Sequence, residues 1–258
     1  MMTWEFTYNQ LIVYILVFCR MVGVLGFNPI LSRRNVPTQF TMALCLGLSL
    51  LISPGLMATM RPVTNTLSLV MGIGAELLVG LVWGLIFQTF YFMLFMAGDV
   101  IDMGLGLSMA KVFDRNANIQ MSLSGNLFNL IFVLFLFVTN SHLVLIRLAA
   151  ASYEIVGLGG AVLNTNLSLF MIDMFLQAFS LAIRLVLPFV AASFTVEITM
   201  GILMKLVPQI NVFSIHFQMK VIMGLILLFV FSLPVSGFID NYIDIIFQHM
   251  ERALSVLG

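Results

Sequence analysis

Leu167-Ser-Leu-Phe-Met-Ile-Asp-Met-Phe-Leu-Gln-Ala-Phe-Ser-Leu-Ala-Ile-Arg-Leu-Val-Leu-Pro-Phe-Val-Ala-Ala-Ser-Phe-Thr-Val-Glu-Ile-Thr-Met-Gly-Ile-Leu-Met-Lys-Leu-Val207 is the stretch that decides the fold of this chain. At 1.5 Å per residue, its roughly 40 residues would make a continuous helix of about 60 Å. The hydrocarbon core of a bilayer is only about 30 Å thick. The stretch carries Asp173, Arg184, Glu197 and Lys205, and charge facing lipid is expensive, so these groups should face protein or water. Pro188 can kink it, because a proline inside a helix removes a hydrogen bond and clashes with the preceding turn. Tilt absorbs a few surplus residues, not a doubled length. The favoured reading is a long helix in an assembly that extends past the bilayer; the other is two short spans that break at Pro188.

The rest of the chain supports a membrane setting. Of its 258 residues, 61% are hydrophobic and 9% charged, against about a quarter charged in soluble domains. One core of this size could not hide so much apolar surface. Apolar runs also cover Leu11–Leu31, Phe40–Met60, Leu67–Ala97, Leu127–Ala151 and Val212–Ile239. Leu67–Ala97 is again overlong and holds Glu76. Pro37, Pro62 and Pro208 punctuate the connections. The residues before Leu11 lack a basic region and a cleavage site, so the first run is expected to remain as a helix. Six spans and the distribution of Arg33, Arg34, Arg61, Lys111, Arg115, Lys205 and Lys220 would put the odd connections in the cytoplasm and both termini outside.

The zero net charge gives no global field for nucleic acid, and no nucleotide-binding loop is present. Cys19 and Cys45 lie inside apolar runs and read as small core residues. Gly80 and Gly84 form a GxxxG pair, a pattern that lets helices approach closely; Glu76 interrupts its extension to Gly72. The most polar connection runs from Ala97 to Gly125. Within it Asp99 and Asp102 would share one helix face, either as a proton relay or cation site or, the favoured reading, as an acidic turn complementing a helix N-terminus. Gly104 and Gly106 permit unusual turns, and Met103, Met109 and Met121 are flexible apolar side chains suited to sealing a gap. The block therefore reads as a mobile loop. Ser108 with His142 could form a hydrolytic dyad, but no nucleophile-elbow sequence surrounds Ser108, and His142 reads better as a helix-break or packing residue. His216 and His249 lack metal-ligand spacing. Pro208-Gln-Ile-Asn-Val-Phe213 reads as the turn of a helical hairpin.

These strings, in order, resemble the FliR family of the flagellar type III export apparatus, whose virulence counterpart is SctT. The match runs through Arg20-Met-Val-Gly23, Asn28-Pro29, Arg33/Arg34, Val36-Pro37 and Pro54. It continues through Ala97-Gly98, Gly106-Leu-Ser-Met-Ala110, Asp114, Leu134-Phe-Leu136, Asn140-Ser-His142 and Leu145-Ile146. It ends with Leu187-Pro188, Glu197, Gly201, Pro208–Phe213 and Lys220-Val-Ile-Met-Gly224. Thr41 stands where the family pattern has arginine, Asp99 and Asp102 add acid to a more neutral stretch, and His216-Phe-Gln218 replaces a commoner Gly-Phe-Pro.

The resemblance implies an all-α integral membrane protein of long kinked helical hairpins. Residues 1–166 would be a FliP-like part with a central plug or gate loop, and 167–258 a FliQ-like hairpin with an amphipathic C-terminal end. It implies a non-enzymatic subunit of the flagellar export gate in the bacterial inner membrane, at the flagellar basal body. The partners would be FliP, FliQ, FlhB, unfolded export substrates and membrane lipid, with no cofactor, no metal and no nucleic acid. Plug or gate residues would be Met103, Met109, Lys111, Phe113, Asp114, Arg115, Asn116 and Met121. Arg20, Glu76, Asp99, Asp102, Asp173, Arg184, Glu197 and Lys205 would be buried polar or subunit-contact residues, with Pro208, Gln209 and Asn211 forming the hairpin turn. The competing expectation is a proton- or ion-coupled small-solute transporter that uses Asp99, Asp102, Glu76 and Asp173.

Overall fold

A computed structural model describes residues 2–30, 36–56, 65–108, 122–161, 165–206 and 212–258. Among them eight helices and no strand occur: α1 (Met2–Gly26), α2 (Thr38–Leu56), α3 (Thr66–Gly104), α4 (Leu123–Val138), α5 (Ser141–Ile155), α6 (Thr165–Leu206), α7 (Val212–Val230) and α8 (Ser232–Leu257). Four of them, α1, α2, α3 and α6, are long and apolar enough to cross a membrane, and the number rises to six if α4 with α5 and α7 with α8 each make one bent span. The protein is an all-α integral membrane protein.

Helix α2 shows the inside-out logic of such a fold. Thr41, Cys45, Ser49 and Ser53 recur every fourth residue on its buried side, while Phe40, Leu46, Leu50 and Leu51 are exposed. Small and weakly polar side chains allow close helix contact, and the Ser49 hydroxyl donates back to the Leu46 carbonyl at 2.8 Å. The apolar side chains face outward, where only lipid or another chain can cover them.

The long stretch that opens the sequence is one helix. The 42 residues of α6 run through Pro188 without a break, so the two-span reading does not hold. α3 is also long, at 39 residues, and continues past Ala97 through Asp99 and Asp102 to Gly104; the loop expected from Ala97 therefore begins later. Leu105 then donates to the Ile101 carbonyl at 2.9 Å, and Gly106 takes a left-handed φ of 74° that ends the helix. Two expected runs are divided instead. Leu127–Ala151 breaks between α4 and α5, where Asn140 adopts φ 57°, a conformation asparagine tolerates better than most residues. Val212–Ile239 breaks at Phe231, between α7 and α8.

The chain forms two compact units, each assembled from separated segments. One comprises Met1–Phe90, Thr139–Phe175 and Asp244–Gly258; the other comprises Tyr91–Val138 and Leu176–Ile243. They are called the first and second units below.

Candidate functional site

The buried charges of the first unit gather in one cluster. Arg20, on α1, donates through Nε to Glu76 Oε2 at 2.5 Å and through Nη2 to Glu76 Oε1 at 3.1 Å. Its Nη1 reaches the Ser152 hydroxyl at 2.9 Å, and Nη2 also reaches the Val156 carbonyl at 3.0 Å. The guanidinium lies 4.0 Å from the centre of the Tyr153 ring, an attraction that gains strength away from water. Glu76 Oε1 accepts a further bond from the Gly159 amide at 2.7 Å. Both Arg20 and Glu76 are 1% exposed. Forked geometry with most donors and acceptors used is what allows an ion pair to stand the loss of water.

Small residues make this cluster possible. A Cβ on Gly23 would lie 2.7 Å from the Gly80 Cα, and one on Gly80 would strike the Arg20 carbonyl. The GxxxG pair therefore serves as the α1–α3 contact, with Gly23 as its unforeseen counterpart. This approach brings Arg20 within reach of Glu76, one turn before Gly80 on α3.

A different cluster lies in the second unit. Asp102, in the last turn of α3 and fully buried, accepts the Leu123 amide through Oδ2 at 2.6 Å and the Ser124 amide through Oδ1 at 3.1 Å. Ser122 Oγ accepts the Gly125 amide at 2.8 Å, and the Ser122 carbonyl accepts from Asn126 at 3.0 Å. The amides that begin a helix have no partner within it; here those of Leu123, Ser124 and Gly125 are all satisfied by side chains, and the Asn126 bond is the first of the helix itself. Gly98 and Gly125 meet backbone to backbone beside this contact, since a Cβ on Gly98 would strike Gly125. The acidic turn does complement a helix N-terminus, but that of α4 rather than of its own helix.

The remaining expected residues are less enclosed. Asp99 and Glu197 are half-buried, and Met103, Asp173, Arg184 and Lys205 are exposed. Glu197 on α6 pairs with Lys220 on α7 at 2.5 Å. Arg20, Glu76 and Asp102 find partners within their own chain, so no neighbouring subunit is needed to satisfy them. Met109, Lys111, Phe113, Asp114, Arg115, Asn116 and Met121 of the plug loop lie outside the described residues, as do Pro208, Gln209 and Asn211 of the hairpin turn. Ser108 and His142 belong to separate units. His249 packs against the rings of Phe90 and Phe170, with centroids at 5.4 and 6.0 Å. Among the described residues no group of three His, Cys, Asp or Glu side chains could hold a metal ion.

Long inside-out helices and wide apolar faces that the chain itself leaves uncovered define a polytopic helical membrane protein. The chain belongs to the bacterial export proteins, family 1, whose model matches residues 11–245, and this agrees with the FliR resemblance. It is 26% identical to flagellar biosynthetic protein FliR of Escherichia coli K12, over 92% of this chain and 91% of that protein. The protein of the same name from Buchnera aphidicola (subsp. Acyrthosiphon pisum) is 28% identical, over 96% and 98%. The Bacillus subtilis 168 protein is 25% identical, over 95% of each chain.

Proposed function

We propose that this chain is a subunit of the flagellar type III protein export gate and forms, with FliP and FliQ and next to FlhB, the channel for unfolded flagellar proteins. The observation that carries this reading is the near full-length match to the bacterial export family, together with relatives named as flagellar biosynthetic proteins. The helices are compatible with it. Only 22% of the apolar window of α6 is buried by the chain itself, against 50% for α1, which leaves a long face for sister subunits or lipid. In this reading residues 1–166 act as a FliP-like part and 167–258 as a FliQ-like hairpin, the complex sits in the inner membrane at the basal body, and force and ATP hydrolysis belong to other components.

The segment between Leu105 and Ser122 would supply the plug, its methionines giving a deformable seal that closes to ions and yields to a passing chain. Co-purification from native membrane and intact-mass measurement test the assembly: a complex with several partner chains is expected, and a lone chain would sink the reading. Excision of residues 112–119, which leaves Asp102 and Ser122 in place, should raise ion leak through the closed complex; unchanged conductance and secretion would remove the plug. The transporter alternative is weakened because Glu76 and Asp102 already spend their carboxylate oxygens on internal hydrogen bonds.

A further inference from the structure

We infer that α8, from Asp240 to its end, presents its outer side to water: it is neither the second half of a membrane span nor a helix lying in the lipid surface. The inference needs the chain to be a membrane protein and does not rest on the channel reading.

The apolar coat of the chain stops along this helix. Phe229 at the end of α7 and Leu233 in the first turn of α8 are each 81% exposed. From Asp240 onward every side chain that stands exposed is polar: Asp240 and Asn241 first, then Asp244, Gln248, Glu251, Arg252 and Ser255. They recur at steps of three and four residues, so they form one stripe, about 22 Å long at 1.5 Å per residue. Helix α2 has the reverse arrangement, with serines inside and leucines outside. Four of the seven stripe residues are charged, and charge in contact with hydrocarbon is expensive. Their own chain does not cover them.

A helix lying in the lipid surface also has a polar stripe, but it sinks its apolar face into the bilayer. The apolar face of α8 is already used by the protein. Tyr242 and Ile243 are 1% exposed, and Ile246 and Ala253 are fully buried. Gly258, directly after the helix, lies so close to the end of α5 that a Cβ there would stand 2.8 Å from the Ile155 carbonyl. The core of the chain holds α8 in place, and nothing apolar is left on it for lipid to hold.

The neighbouring helix supplies a second observation. Asp173 is an exposed charge on α6 among the exposed apolar side chains Leu169, Ile172 and Leu176. Phe170, three residues before it, packs against His249 of α8 with ring centroids 6.0 Å apart, and residues three apart share a helix face. Asp173 and Arg252 of the stripe both act electrostatically on the His249 ring. Asp173 thus stands on the side of α6 that borders α8, where the same water reaches it. The charge inside an overlong apolar run is thereby explained without a neighbouring subunit. The bent pair of α7 and α8 is then not one span, because the water boundary falls within α8, between Leu233 and Asp240.

The test reads thiol reactivity in native membranes, on the full chain with Cys19→Ala and Cys45→Ala as background. Gln248→Cys and Ser255→Cys sample the stripe, and Phe229→Cys and Leu233→Cys sample the apolar coat. A sulfonated maleimide that does not cross lipid is applied to spheroplasts and to inverted vesicles. The reagent attacks the thiolate, which forms in water and not in hydrocarbon. The stripe sites should react at least about tenfold faster than the coat sites in one of the two orientations. If the cysteine-free background fails to accumulate, the same variants are read in the parent chain, against the signal of its own Cys19 and Cys45. Stripe sites as slow as Phe229→Cys and Leu233→Cys in both orientations would overturn the inference. Stripe sites that become fast only after detergent separates the chain from its neighbours would also overturn it, since another subunit would then cover the stripe. Coat sites as fast as the stripe would remove the boundary. A chain that purifies alone while its stripe still labels rapidly would end the export-gate reading and leave the water-facing helix standing.

Discussion

The two buried polar clusters solve one problem by opposite means. In the first unit a carboxylate meets a guanidinium, and most of the remaining hydrogen-bonding capacity goes to Ser152, Val156 and Gly159. In the second unit a carboxylate meets the N-terminus of a helix, whose aligned peptides carry partial positive charge, and each of its oxygens accepts a backbone amide. An ion pair of side chains fixes which helices lie together. A side chain bound to backbone fixes where a helix begins. The first arrangement suits a permanent joint, and the second suits a connection whose ends need holding.

The largest effect should come from splitting the ion pair. Arg20→Ala leaves Glu76 charged, buried and short of donors, and a buried charge stripped of its partner costs about 3–5 kcal/mol. Thermal unfolding in detergent should show the loss, and the chain should accumulate poorly in membranes. Replacing both partners, as Arg20→Met with Glu76→Leu, should recover a large part of it. If Arg20→Ala is as stable as the parent, the cluster is not the joint of the first unit.

Next comes the close approach beneath the pair. Gly80→Val would drive a side chain into the Arg20 carbonyl and the Gly23 backbone, at a cost of about 1–3 kcal/mol as for other overpacked sites. Gly98→Val should cost about the same in the second unit, by driving α3 from Gly125. The comparison sharpens if the second variant also speeds amide exchange at Leu123 while the first does not. Asp102→Ala should be milder than either charge deletion in the first unit, about 1–2 kcal/mol as for a lost helix cap, because it removes the buried charge along with its bonds.

How much of this was legible in sequence follows from what each feature depends on. Composition and run length were enough for a helical membrane protein. The turn motifs also carried weight: the Asn28 side chain shapes the turn after α1 by accepting the Ile30 amide at 3.0 Å, and Asn140 marks the break before α5. Arg20, Glu76 and Asp102 could be singled out because charge in an apolar run needs company. Their partners could not be read, since Arg20 and Glu76 are 56 positions apart and no helical spacing links them. Ser152, Tyr153 and Gly159 were missed for the same reason, and Gly23 was noted only in the family match, without its contact to Gly80. Ser122 was hidden because Leu123-Ser-Gly-Asn126 separates it from the apolar run that begins at Leu127, so the helix start signal did not sit against the run. The end of α3 was misplaced because two glycines and two aspartates weaken helix propensity locally, whereas packing of α3 against α4 outweighs it.

The smallest effect should be the most informative about surroundings. Lys220 and Glu197 form an ion pair with side chains 16% and 41% exposed in the single chain. A pair so open to water is worth about 0–1 kcal/mol, so a double-mutant cycle between Lys220→Ala and Glu197→Ala on the isolated chain in detergent should give a coupling near the low end. If another subunit covers this part of α6 and α7, the same charges lose water and polarise less solvent, and their attraction strengthens. The coupling measured in the assembled complex should then exceed that of the isolated chain. Equal couplings would mean that the pair remains wet after assembly, and that the uncovered face of α6 meets its neighbours elsewhere along its length.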